Sequence, residues 1–184
     1  MLRHLPNAIT LMRILLMIPF GLCLFSGRYN AALILLFVAA ASDSLDGFLA
    51  RRFGWRTWFG SVADPLADKL LLVISYVSFG YLGIMPLWLV AVVLGRDLVI
   101  VSGSLAYWRL TGHFEGQPTW MGKVSTFVAM TAAVWTLLHL AFWPLPPWVL
   151  PSLYVLVTML GLLSAAQYIV LGVRVVRTRG RRSA

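Results

Sequence analysis

The stretch that decides the reading is Asp43-Ser44-Leu45-Asp46-Gly47-Phe48-Leu49-Ala50-Arg51, followed by Gly60, Asp64 and Asp68. Asp43 and Asp46 are three residues apart, so on a helix they share a face. Asp64 and Asp68 are four apart and share a face too, with Gly60 one turn earlier on the same stripe. The residues around both pairs are apolar. A carboxylate at membrane depth costs about 2.5–3.5 kcal/mol or more unless it is paired or hydrated. Four of them in one neighbourhood require a partner. Lys69 and Arg51 cannot by themselves neutralise four clustered carboxylates. Hard oxygen donors suit Mg²⁺, Mn²⁺ or Ca²⁺ better than zinc, which would recruit Cys or His. His4, His113 and His139 lie away from the cluster and read as surface or packing residues.

The surroundings of this stretch are those of a polytopic membrane protein. The chain has 184 residues, 60% of them hydrophobic and only 11% charged, with a mean hydropathy of +0.86. A soluble domain carries about 25% charged residues. Six apolar runs approach or exceed the length needed to cross a hydrocarbon core, at about residues 7–26, 31–51, 58–80, 85–107, 122–143 and 148–173. Helices are the expected form, because lipid cannot satisfy the polar groups of an open backbone. The fold class is therefore all-α, a bundle of six transmembrane helices in one integral-membrane domain over residues 1–184. Connectors carry turn chemistry at Ser26 to Asn30, Phe53-Gly54, Gly80 to Gly83 and Trp143 to Trp148. The first 27 residues resemble a secretion signal only superficially, since Arg13 interrupts the apolar stretch and later segments are equally apolar. Cys23 stands alone in an apolar run, so no disulfide framework exists.

The net charge of +9 does not point to nucleic acid. Basic residues gather at the ends of apolar runs, which is how membrane topology is encoded. Arg3, then Arg51, Arg52 and Arg56, then Arg109 and Lys123, then the tail with Arg174, Arg177, Arg179, Arg181 and Arg182 alternate with connectors that hold only Arg28. Both termini and the junction of the second and third spans are expected on the cytoplasmic side of a bacterial inner membrane. Trp58, Trp108, Trp120, Trp143 and Trp148 fall near span ends, as in an aromatic belt. The basic tail also suits anionic lipid.

Gly47, Ala50 and Gly60 are small residues interleaved with the acids, and glycine in a membrane helix lets a backbone or ligand approach closely. Taken together, the run D-x2-D-G-x2-A-R-x8-G-x3-D-x3-D from Asp43 to Asp68 resembles the signature of the CDP-alcohol phosphatidyltransferase family, with all eight fixed positions matched. The resemblance implies a six-helix core with the signature on its second and third helices. It implies two divalent ions, Mg or Mn, held by Asp43, Asp46, Asp64 and Asp68, with Asp68 also the base for the acceptor hydroxyl. Gly47, Ala50, Arg51 and Gly60 would line the cytidine diphosphate slot. The implied reaction moves a phosphatidyl group from CDP-diacylglycerol to an alcohol with loss of CMP, and the implied assembly is a homodimer.

The acceptor is the open part of the reading. Asn7 to Ile14, Ala63 to Lys69, Gly95-Arg96-Asp97 and Pro118 to Val124 are similar to segments of both the phosphatidylglycerophosphate synthase and the CMP-forming cardiolipin synthase branches. Arg-Asp at 96–97, with the run Lys69 to Ser78, resembles the cardiolipin branch more, so phosphatidylglycerol is favoured narrowly over glycerol 3-phosphate. Arg96 and Asp97 suit either a structural intramembrane ion pair with another span or, with Lys123, a grip on the acceptor's phosphate. Arg13 suits snorkelling, helix pairing or the headgroup pocket. A membrane cation transporter would also place carboxylates in its helices, but it does not explain the fixed Gly, Ala and Arg positions among them. A catalytically dead scaffold has no reason to keep four costly carboxylates.

Overall fold

Six α-helices follow one another along the chain: α1 (Leu5–Phe25), α2 (Tyr29–Phe53), α3 (Trp58–Tyr81), α4 (Leu87–Thr111), α5 (Trp120–Ala141) and α6 (Val149–Gly180). They coincide with the six apolar runs of the sequence, and among the described residues every regular element is helical. The structure, a computed structural model, describes the backbone of residues 5–53, 58–111 and 119–180. Within these, the side chains of residues 5–8, 10, 43–51, 53, 58–65, 106–108, 110, 111 and 173–180 lie outside the described set.

Among the described residues, three helices are long and apolar enough to cross a membrane, over Leu87–Leu105, Trp120–Ala141 and Val149–Gly172. Within the described residues α1 and α2 carry the apolar stretches Leu11–Phe25 and Tyr29–Ser42. The surface carries apolar side chains on all six helices. Ile18, Ile34, Leu66, Leu98, Phe127 and Met159 are more than half exposed. Water does not tolerate such a continuous apolar exterior, whereas lipid does. The chain is a multi-pass membrane protein.

The helices group into two units. One comprises Met1–Met85 with Ala133–Leu145; the other comprises Pro86–Ala132 with Pro146–Ala184. In the first unit α1 packs against both α2 and α3. Two glycine caps set its turns. Gly27 has φ +67°, its N–H donates to the Leu24 carbonyl at 3.1 Å, and the Arg28 N–H donates to the Cys23 carbonyl at 2.8 Å. Gly83 repeats this at the end of α3, with φ +68°, its N–H on the Gly80 carbonyl and the Ile84 N–H on the Phe79 carbonyl. Both are Schellman endings, which need a left-handed residue that glycine adopts without steric penalty. The short turn after Gly27 makes α2 antiparallel to α1.

The sense of α3 follows from two contacts. A Cβ on Gly21 would lie 3.5 Å from Ile74, and the rings of Phe25 and Tyr81 meet edge to face at 5.7 Å. Moving up α1 moves up α3, so these helices run parallel, and α2 is antiparallel to both. Their interface is filled by Phe20, Leu24, Leu36, Leu72, Tyr76 and Phe79, all buried. Buried Ser75 donates its hydroxyl hydrogen to the Leu71 carbonyl at 2.8 Å, so its hydroxyl is not stranded there.

In the second unit α4 packs on α6. The approach is close: a Cβ on Gly161 would lie 3.1 Å from a Val92 methyl. Thr119 caps α5, its hydroxyl oxygen accepting the Gly122 N–H at 3.1 Å.

Candidate metal and substrate site

Asp43, Asp46, Gly47, Ala50 and Arg51 lie on the last part of α2, and Gly60, Asp64 and Asp68 on the first part of α3. Apart from that of Asp68, their side chains lie outside the described residues, and the site is built from the helices that carry them. Phe53 and Trp58 flank a four-residue link, so the two helix ends are within about 19 Å of each other.

The Phe25–Tyr81 contact and the turn before Tyr29 put the end of α1, the start of α2 and the end of α3 at one level. Depth can then be counted along each helix at a rise of about 1.5 Å per residue. Asp43 lies about 21 Å from Tyr29, and Asp68 about 20 Å from Tyr81. Asp46 and Asp64 each lie about 26 Å from the same level. The four acids therefore fall into two tiers, Asp43 with Asp68 and Asp46 with Asp64. Each tier draws one residue from α2 and one from α3. Because α2 and α3 run antiparallel, the early residue of one pair stands at the level of the late residue of the other. The Asp68 side chain is exposed. A donor set of four carboxylates in two tiers fits hard divalent cations, and offers no nitrogen or sulfur to a softer one.

The second unit resolves the alternatives for Arg96. Its side chain is 8% exposed and joins three helices. Nε donates to the Ser164 hydroxyl of α6 at 3.3 Å. One terminal nitrogen donates to Asp97 Oδ1 at 2.6 Å and to the Thr126 hydroxyl of α5 at 3.0 Å. The other donates to the Gly122 carbonyl at 2.6 Å. Four of the five N–H groups of a guanidinium are thus committed to protein acceptors. A bidentate grip on a phosphate needs two parallel free donors. Arg96 cannot offer them; its ion pair is with Asp97 of the same helix, not with another span, and it reaches α5 and α6 through hydrogen bonds to Gly122, Thr126 and Ser164.

The network around Arg96 was not visible as such in the sequence. Thr126 Oγ1 also donates to the Gly122 carbonyl at 3.0 Å, and the Thr119 N–H donates to the Tyr168 hydroxyl at 3.1 Å. Gly122 has no space for a side chain, since a Cβ would lie 3.1 Å from Tyr168 Oη, 3.2 Å from Thr119 Oγ1 and 3.4 Å from Arg96. Ser164, Thr126 and Tyr168 sit singly in apolar helices, and that scatter of polar residues was the available signal. Lys123 and Arg109 are both exposed. His139 is structural, its Nδ1 accepting the Leu145 N–H at 2.8 Å across the loop after α5. His4, His113 and Glu115 lie outside the described residues. Arg13 does not snorkel: its side chain is 2% exposed.

The model of the CDP-alcohol phosphatidyltransferase family matches residues 3–178. The chain belongs to this family. It is 35% identical over 135 residues to a "Probable phosphatidylglycerophosphate synthase" of Mycobacterium tuberculosis strain H37Rv, covering 70% of this chain and 63% of that protein. It is 33% identical over 174 residues to a "CDP-diacylglycerol--glycerol-3-phosphate 3-phosphatidyltransferase" of Shigella flexneri serotype 5b, covering 90% of this chain and 93% of that protein. It is 32% identical over 142 residues to the human "Cardiolipin synthase (CMP-forming)", covering 68% of this chain and 47% of that protein.

Proposed function

We propose that the chain transfers the phosphatidyl group of CDP-diacylglycerol to a glycerol hydroxyl, with phosphatidylglycerol as the acceptor and cardiolipin and CMP as products. The observation that carries the reaction is the pair of carboxylate tiers on α2 and α3, in a chain whose family transfers phosphatidyl groups from CDP-linked donors. Asp43, Asp46, Asp64 and Asp68 hold divalent metal, Mg or Mn, as two ions. Bound there, the metal would supply the charge neutralisation that the diphosphate needs as CMP departs.

The protein's own residues do the rest. Arg51, at the end of α2, offers a planar donor fork to phosphate oxygens. Gly47, Ala50 and Gly60 keep the helix surface low, so that the cytidine diphosphate lies against the backbone. Asp68, exposed on α3, takes the proton from the acceptor hydroxyl as its oxygen attacks the phosphorus that bears the diacylglycerol. CMP leaves on the opposite side with the bridging oxygen.

Phosphatidylglycerol is favoured because the buried cation that a glycerol 3-phosphate site would draw on is already engaged. A dianion arriving from water needs at least two cationic contacts to offset its desolvation. In the second unit Arg96 is committed, which leaves Arg109 and Lys123. A second reading, glycerol 3-phosphate as acceptor, is favoured by the name of the Shigella relative, which matches over nearly its whole length. Purified enzyme given CDP-diacylglycerol and either acceptor separates the two. Cardiolipin formed from phosphatidylglycerol, with much slower turnover of glycerol 3-phosphate, is the expected result. Efficient synthesis of phosphatidylglycerophosphate without cardiolipin overturns the acceptor and leaves the family and the carboxylate site standing.

The same reading includes six membrane spans in one domain, both termini and the carboxylate tiers on the cytoplasmic side of a bacterial inner membrane, and a homodimer. The supports are the apolar exterior of all six helices, the alternation of Lys and Arg between connectors, and a family match that runs through both units.

A further inference from the structure

Arg13 is the unexplained charge of the first unit. Its long cationic side chain is 2% exposed in the middle of α1, among the most completely buried side chains of the protein. A buried guanidinium persists only where negative charge balances it. The acids of the first unit are Asp43, Asp46, Asp64 and Asp68 and no others, because Asp97 and Glu115 belong to the second. Depth agrees with this accounting. Arg13 lies about 18 Å below Phe25, the stratum of Asp43 on α2 and Asp68 on α3. Because α1 packs against both of these helices, Arg13 stands on α1 at the level of the deeper pair of acid positions.

We propose that Arg13 is a built-in countercharge of the carboxylate site, a positioning residue that holds the deeper aspartate tier in place before any metal binds and that sets how tightly metal is held. The inference rests on the metal reading given above. Physically, one fixed positive charge at the base of four carboxylates relieves their mutual repulsion in the metal-free protein. The same charge repels an incoming divalent ion, so the site binds metal less tightly than four bare carboxylates would. A residue that served only to pack α1 would do neither.

The test is Mg²⁺ binding and thermal unfolding of the purified full-length protein, in EDTA and in saturating Mg²⁺, for the unchanged chain, Arg13→Met and Arg13→Lys. The unchanged protein is expected to gain stability with Mg²⁺. Arg13→Met is expected to melt earlier in EDTA, to recover most of the loss in Mg²⁺, and to bind Mg²⁺ about tenfold more tightly or better, as removal of a like charge from a partly buried site requires. Arg13→Lys, which keeps the charge, is expected to stay within about threefold of the original affinity. An equal loss of stability with and without Mg²⁺, at unchanged affinity, overturns the countercharge and leaves the metal site intact. No effect of Mg²⁺ on the unchanged protein overturns the metal reading and the countercharge together. Should Arg13→Met fail to accumulate, the double variant Arg13→Met/Asp43→Asn decides. Recovery of folded protein supports the proposal, since one uncompensated charge has been removed with the other, and failure to recover overturns it.

Discussion

Arg96 and the four signature aspartates are all charges among apolar residues, and they differ in what their neighbours leave available. Arg96 has spent its donors on Asp97, Thr126, Gly122 and Ser164. Removing it would take the ion pair from Asp97, whose side chain is 14% exposed, and one donor from each of three oxygen acceptors. Arg96→Met should therefore destabilise the protein by about 3 kcal/mol, the cost of breaking a largely buried pair from one side. Adding Asp97→Asn should return part of that loss, which thermal unfolding in detergent will read. The aspartates are expected to behave in the opposite manner. Asp43→Asn, Asp46→Asn, Asp64→Asn and Asp68→Asn each remove charge from a repelling cluster, so they should cost little stability while lowering phosphatidyl transfer by about 100-fold or more. A variant of this set that loses its fold along with its activity would assign that aspartate to structure.

At the scale of the helices, glycine decides how closely two of them approach. Gly161 on α6 approaches α4 so closely that an added methyl group would lie 3.1 Å from a Val92 methyl, which would have to give way. Gly161→Ala should cost about 1–3 kcal/mol through overpacking, and Val92→Ala in the same protein should restore most of it. Gly27→Ala should cost about 1 kcal/mol through the left-handed turn alone, because the added methyl group would project into open space. Thermal unfolding reads both. The six helices and most of their ends were legible in the sequence because apolar length and turn residues report directly on them. The aspartate signature was legible because its residues lie close together along the chain, on either side of one short link. The Arg96 network was not, because Arg96, Gly122, Thr126, Ser164 and Tyr168 come from three helices far apart in sequence, and each alone reads as an ordinary polar residue in an apolar run. The reach of α6 to Gly180, beyond the apolar run ending near residue 173, escaped for another reason. Arginine ends a hydrophobic stretch without ending a helix.

For the whole molecule, the two tiers of acids lie on helices of the first unit, while the second holds α4, α6 and the first part of α5, joined by one buried arginine. The positive connectors predict that cysteines introduced near position 55 and at the C-terminus are labelled from the cytoplasmic side only, and one near position 82 from the other side. The reverse pattern would refute six spans with both ends inside. The central claim is that the tiers form a metal-dependent phosphatidyl transfer site. The most direct measurement of it is release of CMP from labelled CDP-diacylglycerol by the purified protein, with phosphatidylglycerol present, in Mg²⁺ and in excess EDTA, for the unchanged chain and for Asp46→Asn. Acceptor-dependent CMP release in Mg²⁺, abolished by EDTA and by Asp46→Asn, is the predicted result. Turnover that persists at full rate in EDTA or in Asp46→Asn would contradict the account.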